Sequence, residues 1–111
     1  MGGGWSEGEP LWKRAPRRDE NGRAYTDFLM LAPGLKKRSA PEIEQVIRVV
    51  EGVLARFGEW VVFAEINLKL STLWVSMRYR PGLMSVIVAA VREQAPEFKL
   101  VGHDPRAYPS G

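Results

Sequence analysis

A helical repeat of apolar side chains marks the middle of the chain. Apolar residues recur at i, i+3, i+4 and i+7 positions over residues 43–57, and charged residues occupy the opposite side. This spacing predicts an amphipathic helix with one buried face. Ser39 and Glu42 precede it with the spacing of a capping box, in which the serine accepts from the Glu42 N–H and the glutamate reaches back to the serine amide. Gly58 is predicted to end the helix as its C′ residue.

The period of the apolar pattern changes to two after this helix. Residues 60–68 and residues 73–79 each alternate between apolar core positions and positions that face away, and a short turn separates them. Two such segments predict an antiparallel hairpin. Its outward-facing positions are expected to include Val61, Phe63 and Trp74.

Three further elements complete the predicted order. We expect a short apolar strand over residues 25–31, a second amphipathic helix over residues 83–95 and a last short strand over residues 98–101. The order β-α-β-β-α-β contains two crossovers, and their right-handedness places both helices on one face of a four-stranded antiparallel sheet. The predicted fold class is therefore α+β, a ferredoxin-like βαββαβ sandwich.

The ferredoxin-like domain is predicted to span residues 24–103. Residues 1–23 are rich in Gly, Pro and charge and show no strand or helix period, so we expect a flexible or draped N-terminal arm. Residues 104–111 are predicted to form a polar C-terminal tail. A chain of 111 residues with 45% hydrophobic residues supports one such domain with one core.

The composition excludes several kinds of site. The chain has no cysteine, which rules out disulfides, thiolate metal sites, iron–sulfur clusters and cysteine nucleophiles. The longest apolar runs are too short to span a bilayer, and no signal peptide is recognisable. We therefore expect a cytoplasmic protein without a membrane partner.

The sequence contains no recognisable catalytic residues, metal ligands or cofactor motif. The single histidine, His103, stands beside Asp104, without a serine or cysteine in a nucleophile motif. The carboxylates are scattered along the chain, and no two of them are good candidates for an acid and a base with divergent pKa values. We therefore expect that the protein is not an enzyme.

A basic run leads into the first predicted helix. Lys36, Lys37, Arg38 and Ser39 stand where unpaired backbone N–H groups and the helix dipole favour an anion. The capping box is an alternative use of the same N–H groups, and it leaves the basic run in water. The small net charge of +3 favours this second interpretation.

The sheet face opposite the helices is the second candidate surface. The expected interface residues there are Val61, Phe63 and Trp74, together with either Tyr25 and Asp27 or Thr26 and Phe28. An exposed aromatic patch on a sheet usually marks an interface. Three occupants compete for it: the N-terminal arm through Trp5 or Trp12, a second copy of the chain, and nucleic-acid bases. Nucleic acid is the weakest because residues 73–79 lack the glycines and paired aromatics of the RNA-recognition consensus.

Two functional hypotheses follow from these surfaces. The leading one is a small non-enzymatic interaction module that binds a protein partner or, as a homo-oligomer, a second copy of itself through the open sheet face. The alternative is a small-anion or nucleic-acid binder that uses the basic run before the first helix and the basic residues of the arm.

Residues 28–102 resemble the heavy-metal-associated domain of copper chaperones and metal-transporting ATPases. The similar segments are Ala32-Pro33-Gly34-Leu35, Ile43-Glu44 and the helix that follows, Ile66-Asn67-Leu68, residues 75–81, residues 88–91 and Leu100-Val101-Gly102. The resemblance implies the ferredoxin-like fold. That family binds soft metal through a C-x-x-C pair in the loop after the first strand, where residues 35–40 of this chain offer no thiolate, so metal binding is not expected.

Overall fold

The computed structural model describes residues 2–6, 10–13 and 15–103. For residues 2–6 and 102–103 it describes the backbone alone. The C-terminal tail predicted for residues 104–111 lies outside the described residues.

Two helices and five strands form within the described residues. In chain order they are β1 Gly2–Ser6, β2 Thr26–Leu31, α1 Ala40–Ala55, β3 Val61–Asn67, β4 Thr72–Met77, α2 Leu83–Gln94 and β5 Lys99–His103. Single 3-10 turns lie at Leu11–Lys13 and Leu35–Lys37. The strands make one sheet in the order β1-β3-β4-β2-β5.

Four of these strands, β2 to β5, pair antiparallel. The predicted α+β class, with four antiparallel strands and two helices, is confirmed, and the arrangement is compatible with a ferredoxin-like sandwich. Strand β1 is an addition that the sequence pattern did not predict: it pairs parallel with β3, placing Gly2 opposite Phe63 and Ser6 opposite Asn67. Backbone groups alone make this pairing, so a glycine-rich segment joins the sheet without showing an alternating side-chain pattern.

Helix α1 begins where the capping signal predicts. The Ser39 side chain accepts from the Glu42 N–H at 3.3 Å, and the Ser39 hydroxyl donates to Glu42 Oε1 at 2.8 Å. The Glu42 carboxylate thus bonds the serine hydroxyl rather than the serine amide. The helix ends at Ala55 with Arg56 as its C-cap, so the prediction that Gly58 is the C′ residue is wrong.

The core lies between the sheet and the two helices. Both helices and the strands contribute buried side chains to it, among them Val50, Leu54, Ile87, Val91, Phe28 and Val75. Val61 is also there: it is 3% exposed and pairs with Met77, because the register shifts between Val61 and Phe63. The prediction that Val61 faces outward is wrong, since a β-bulge interrupts the period of two on which it was based.

Candidate functional site

The N-terminal arm, defined from here on as residues 10–13 and 15–24, lies against the sheet face opposite the helices. Pro10 is buried, and the Leu11 N–H donates to the carboxylate of Glu65 on β3 at 2.9 Å. Trp74 on β4 is only 5% exposed. Trp74 is therefore covered rather than exposed, and of the three expected occupants of this face it is the arm that lies there.

Under the arm, three aromatic rings form a row across the sheet. Phe63 stacks on Trp74 with ring centroids 6.5 Å apart, and Tyr25 meets Phe63 edge to face at 6.2 Å. The indole Nε1–H of Trp74 donates to Asp27 Oδ2 at 2.9 Å. The structure thus brings Phe63 and Trp74 together as the sequence pattern predicts. Their neighbours are Asp27 on β2 and Tyr25, the residue just before β2.

The far end of the arm is a tight turn built on Asp19. Its Oδ1 accepts the backbone N–H groups of Asn21 at 2.8 Å and of Arg23 at 2.9 Å. Gly22 occupies the left-handed region at φ 77°, which a residue without a Cβ adopts at no steric cost. The Arg18 guanidinium donates to the Gly22 carbonyl at 2.9 Å and closes the turn.

Asp19 also ties the turn to the sheet. Its Oδ2 lies 3.7 Å from the guanidinium of Arg78, just after β4. The N–H groups of Arg23 and Asn21, together with the charges of Arg78 and Arg23, hold the pKa of this carboxyl below its usual range. The turn therefore rests on the ionised form of Asp19.

The antiparallel register brings several loop residues to the same end of the sheet. Thr26 and Val61, which begin β2 and β3, both pair with Met77, which ends β4. The residues just outside these strands, including Tyr25, Trp60 and Arg78, must therefore be neighbours. The Arg78 N–H donates to the Trp60 carbonyl at 2.8 Å.

A basic and aromatic cleft opens between this end of the sheet and the Asp19 turn. We call it the arginine cleft; its volume is about 590 Å³, and it is lined by Arg18, Asp19, Asn21, Gly22, Arg23, Ala24, Tyr25, Trp60, Arg78 and Tyr79. Tyr79 is 68% exposed. The Arg80 guanidinium lies 4.9 Å from the centre of the Trp60 ring, a distance at which cation–π attraction operates.

A smaller cavity of about 200 Å³ lies beside the arginine cleft. The two share Arg18, Ala24 and Tyr25 in their linings, and the smaller one continues under the arm to Trp12, Arg17 and Trp74. Together they place four arginine side chains, Arg17, Arg18, Arg23 and Arg78, along one continuous surface.

The basic run before α1 is arranged differently. Arg38 forms an ion pair with Glu97 at 2.9 Å, and Ser39 exchanges hydrogen bonds with Glu42. Lys36 and Lys37 are exposed. Two carboxylates therefore stand beside the predicted anion site, and the Glu42 N–H is already used by the cap, which supports the capping interpretation over an anion site.

Two further features, a cluster of metal ligands and a membrane-spanning helix, are absent from the described part of the chain. Within it, no group of three or more His, Asp or Glu side chains could hold a metal ion, and neither helix is long and apolar enough to cross a membrane. The backbone of His103 ends β5. The His103 side chain and Asp104 lie outside the residues that the structure describes.

No family model, curated protein or solved structure matches the chain. The resemblance to the heavy-metal-associated domain therefore stays a prediction. Sequence reasoning missed the arginine cleft because its residues are spread over residues 18–79. The adjacent Arg78, Tyr79 and Arg80 were the available signal: they follow a strand, where side chains leave the core.

Proposed function

We propose that this protein is a small non-enzymatic binding module on a ferredoxin-like βαββαβ domain, and that the arginine cleft takes an anionic ligand with a flat ring. One observation carries the proposal: arginines and exposed or half-exposed aromatic rings line the same cleft. Guanidinium groups recognise phosphate and carboxylate, while aromatic faces accept planar rings. This cleft is a different site from the basic run before α1, which was the anion-binding candidate in the sequence.

Titration with adenosine monophosphate at low ionic strength tests this proposal. The probe carries a phosphate and a planar ring, and amide chemical shifts report where it binds. We expect Arg23→Ala and Arg78→Ala to weaken binding. The matched control is Arg48→Ala, which removes an exposed arginine from α1, where its partner is Glu44 at 3.9 Å.

Two outcomes would remove the proposal. The first is no binding of the probe at any salt concentration. The second is an equal loss of binding in the Arg48→Ala control, because this would assign the attraction to net charge rather than to the cleft.

A second candidate function, self-association, is favoured by a separate surface. Strand β5 is an edge of the sheet, and its Leu100 and Val101 are 42% and 55% exposed. A groove of about 480 Å³ runs beside it, lined by Leu100 and by α2 residues that include Met84, Val88 and Ala89. An exposed apolar edge strand is a template for pairing with another chain. We propose that two copies pair β5 with β5, antiparallel across a two-fold axis.

This proposal moves self-association away from the aromatic sheet face, where Trp74 is buried. Analytical ultracentrifugation over a concentration series measures the outcome. Leu100→Lys should shift the protein toward monomer, whereas Leu70→Lys should not, because Leu70 has the same 42% exposure but lies in the β3–β4 turn. A wild-type protein that is monomeric at every concentration would refute it.

A further inference from the structure

We propose that the ligand of the arginine cleft is single-stranded nucleic acid, whose backbone follows the arginines while a base stacks on Tyr79. This inference rests on the anion-binding function proposed above and names its ligand class.

The two cavities form an extended surface rather than one enclosed pocket. The cleft of about 590 Å³ joins the cavity of about 200 Å³ at Arg18 and Tyr25, which line both. Arg17 lines the smaller cavity and Arg78 lines the cleft. A row of cations along an open groove suits a chain of phosphates better than one isolated phosphate group.

The carboxylates on this surface do not cancel its positive charge. The surface carries two, Asp19 and Asp27. Asp19 is held by two backbone N–H groups of its turn and lies near Arg78, whereas Asp27 accepts from the Trp74 indole. Arg17, Arg18 and Arg23 are exposed and remain available to phosphate, apart from the one Arg18 donor that bonds Gly22.

An exposed ring stands at the edge of this charged surface. Tyr79 is 68% exposed and lies between Arg78 and Arg80. A base that stacks on an aromatic side chain gains affinity without regard to sequence, and neighbouring arginines add to it. This mode does not use the central strands as RNA-recognition domains do, because the arm covers that face and Trp74 is buried.

Three probes distinguish the nucleic-acid inference from the broader proposal that the cleft binds an anion with a flat ring. They are a short single-stranded oligothymidylate or oligouridylate, the same DNA as a duplex, and adenosine monophosphate. We expect the single strands to bind more tightly than the duplex and the mononucleotide, with an affinity that falls as salt rises. Arg23→Ala should reduce the slope of log affinity against log salt by about 0.7.

Substitution of Tyr79 is the most discriminating part of the experiment. Tyr79→Ser should weaken binding of the single strand by roughly 5- to 150-fold, which is the loss of one stacked base, and should leave the salt slope unchanged. The exposed position keeps the fold intact, which a thermal unfolding curve checks. As a control, the double variant Lys36→Ala and Lys37→Ala removes two exposed lysines outside the arginine cleft. The loss of single-strand affinity caused by Tyr79→Ser should be the same with and without these two changes.

The outcomes distinguish the two proposals. A duplex that binds as tightly as the single strand, or a Tyr79→Ser variant with unchanged affinity, would overturn the nucleic-acid inference. If the mononucleotide still binds and Arg23→Ala still weakens it, the anion-binding function stands alone. If none of the probes binds at low salt, both proposals fail.

Discussion

Trp74 on β4 joins the two neighbouring strands β2 and β3 on the sheet face that the arm covers. Its indole donates to Asp27 at 2.9 Å and its ring stacks on Phe63. A hydrogen bond to a charged acceptor contributes about 1.5–3 kcal/mol, and breaking it leaves a half-buried carboxylate without that donor. The bond thus links the stability of the aromatic row to two particular residues.

We expect Trp74→Phe to lower the free energy of unfolding by at least about 1 kcal/mol. Part of this loss comes from the smaller ring, so the measurement is a double-mutant cycle with Asp27→Ala. Urea denaturation gives the free energy of unfolding of each variant in the cycle. The two changes should be less than additive when combined. Strict additivity would show that the indole and the carboxylate do not stabilise one another.

Asp19 gives the arm a dependence on pH. Its pKa is lowered by the backbone N–H groups of Arg23 and Asn21 and by the charge of Arg78. A lowered pKa means that the ionised group stabilises the turn above the ordinary aspartate value of about 4, and that this stability is lost as the pH falls through the lowered folded value. Acidification should therefore loosen the turn.

Hydrogen exchange of the Asn21 and Arg23 amides measures this effect. Protection should be constant above about pH 5 and fall at lower pH, after correction for intrinsic exchange. In the Asp19→Asn variant the amide oxygen still accepts but does not ionise, so the transition should disappear. The same transition in that variant would assign it to another group.

At the scale of the elements, helix α1 rests on its N-terminal cap. Ser39→Ala removes the acceptor for the Glu42 N–H and should lower the free energy of unfolding by about 1 kcal/mol. The matched control is Ser85→Ala in the first turn of α2, where the N-cap residue is Gly82. Thermal denaturation compares the two, and equal effects would contradict the assigned role of Ser39.

The elements also show which parts of the fold a sequence pattern can predict. The position and start of α1 follow from helical spacing and from the capping signal at Ser39, because both depend on residues near one another in the chain. Val61 was misplaced since a bulge depends on the partner strand. Strand β1 was missed because Gly2, Gly3 and Gly4 pair through the backbone and carry no pattern.

The same distinction holds for the whole molecule and its candidate site. The position of Phe63 and Trp74 on the same sheet face was predictable from alternation in adjacent strands, and their rings are in contact there. The cover provided by the arm was one of several alternatives, since a contact such as that between Leu11 and Glu65 joins residues far apart in the chain. The arginine cleft exists only after folding places the Asp19 turn beside Arg78.

At the scale of the whole molecule, a map of amide chemical shifts on the 12.5 kDa protein shows where the ligand binds. The protein would be titrated at low salt with oligothymidylate. The largest shifts are expected around Gly22, Arg23, Arg78 and Tyr79, with little change along α1. Shifts centred on residues 36–39 or on α2 would contradict the assignment of the arginine cleft as the ligand site.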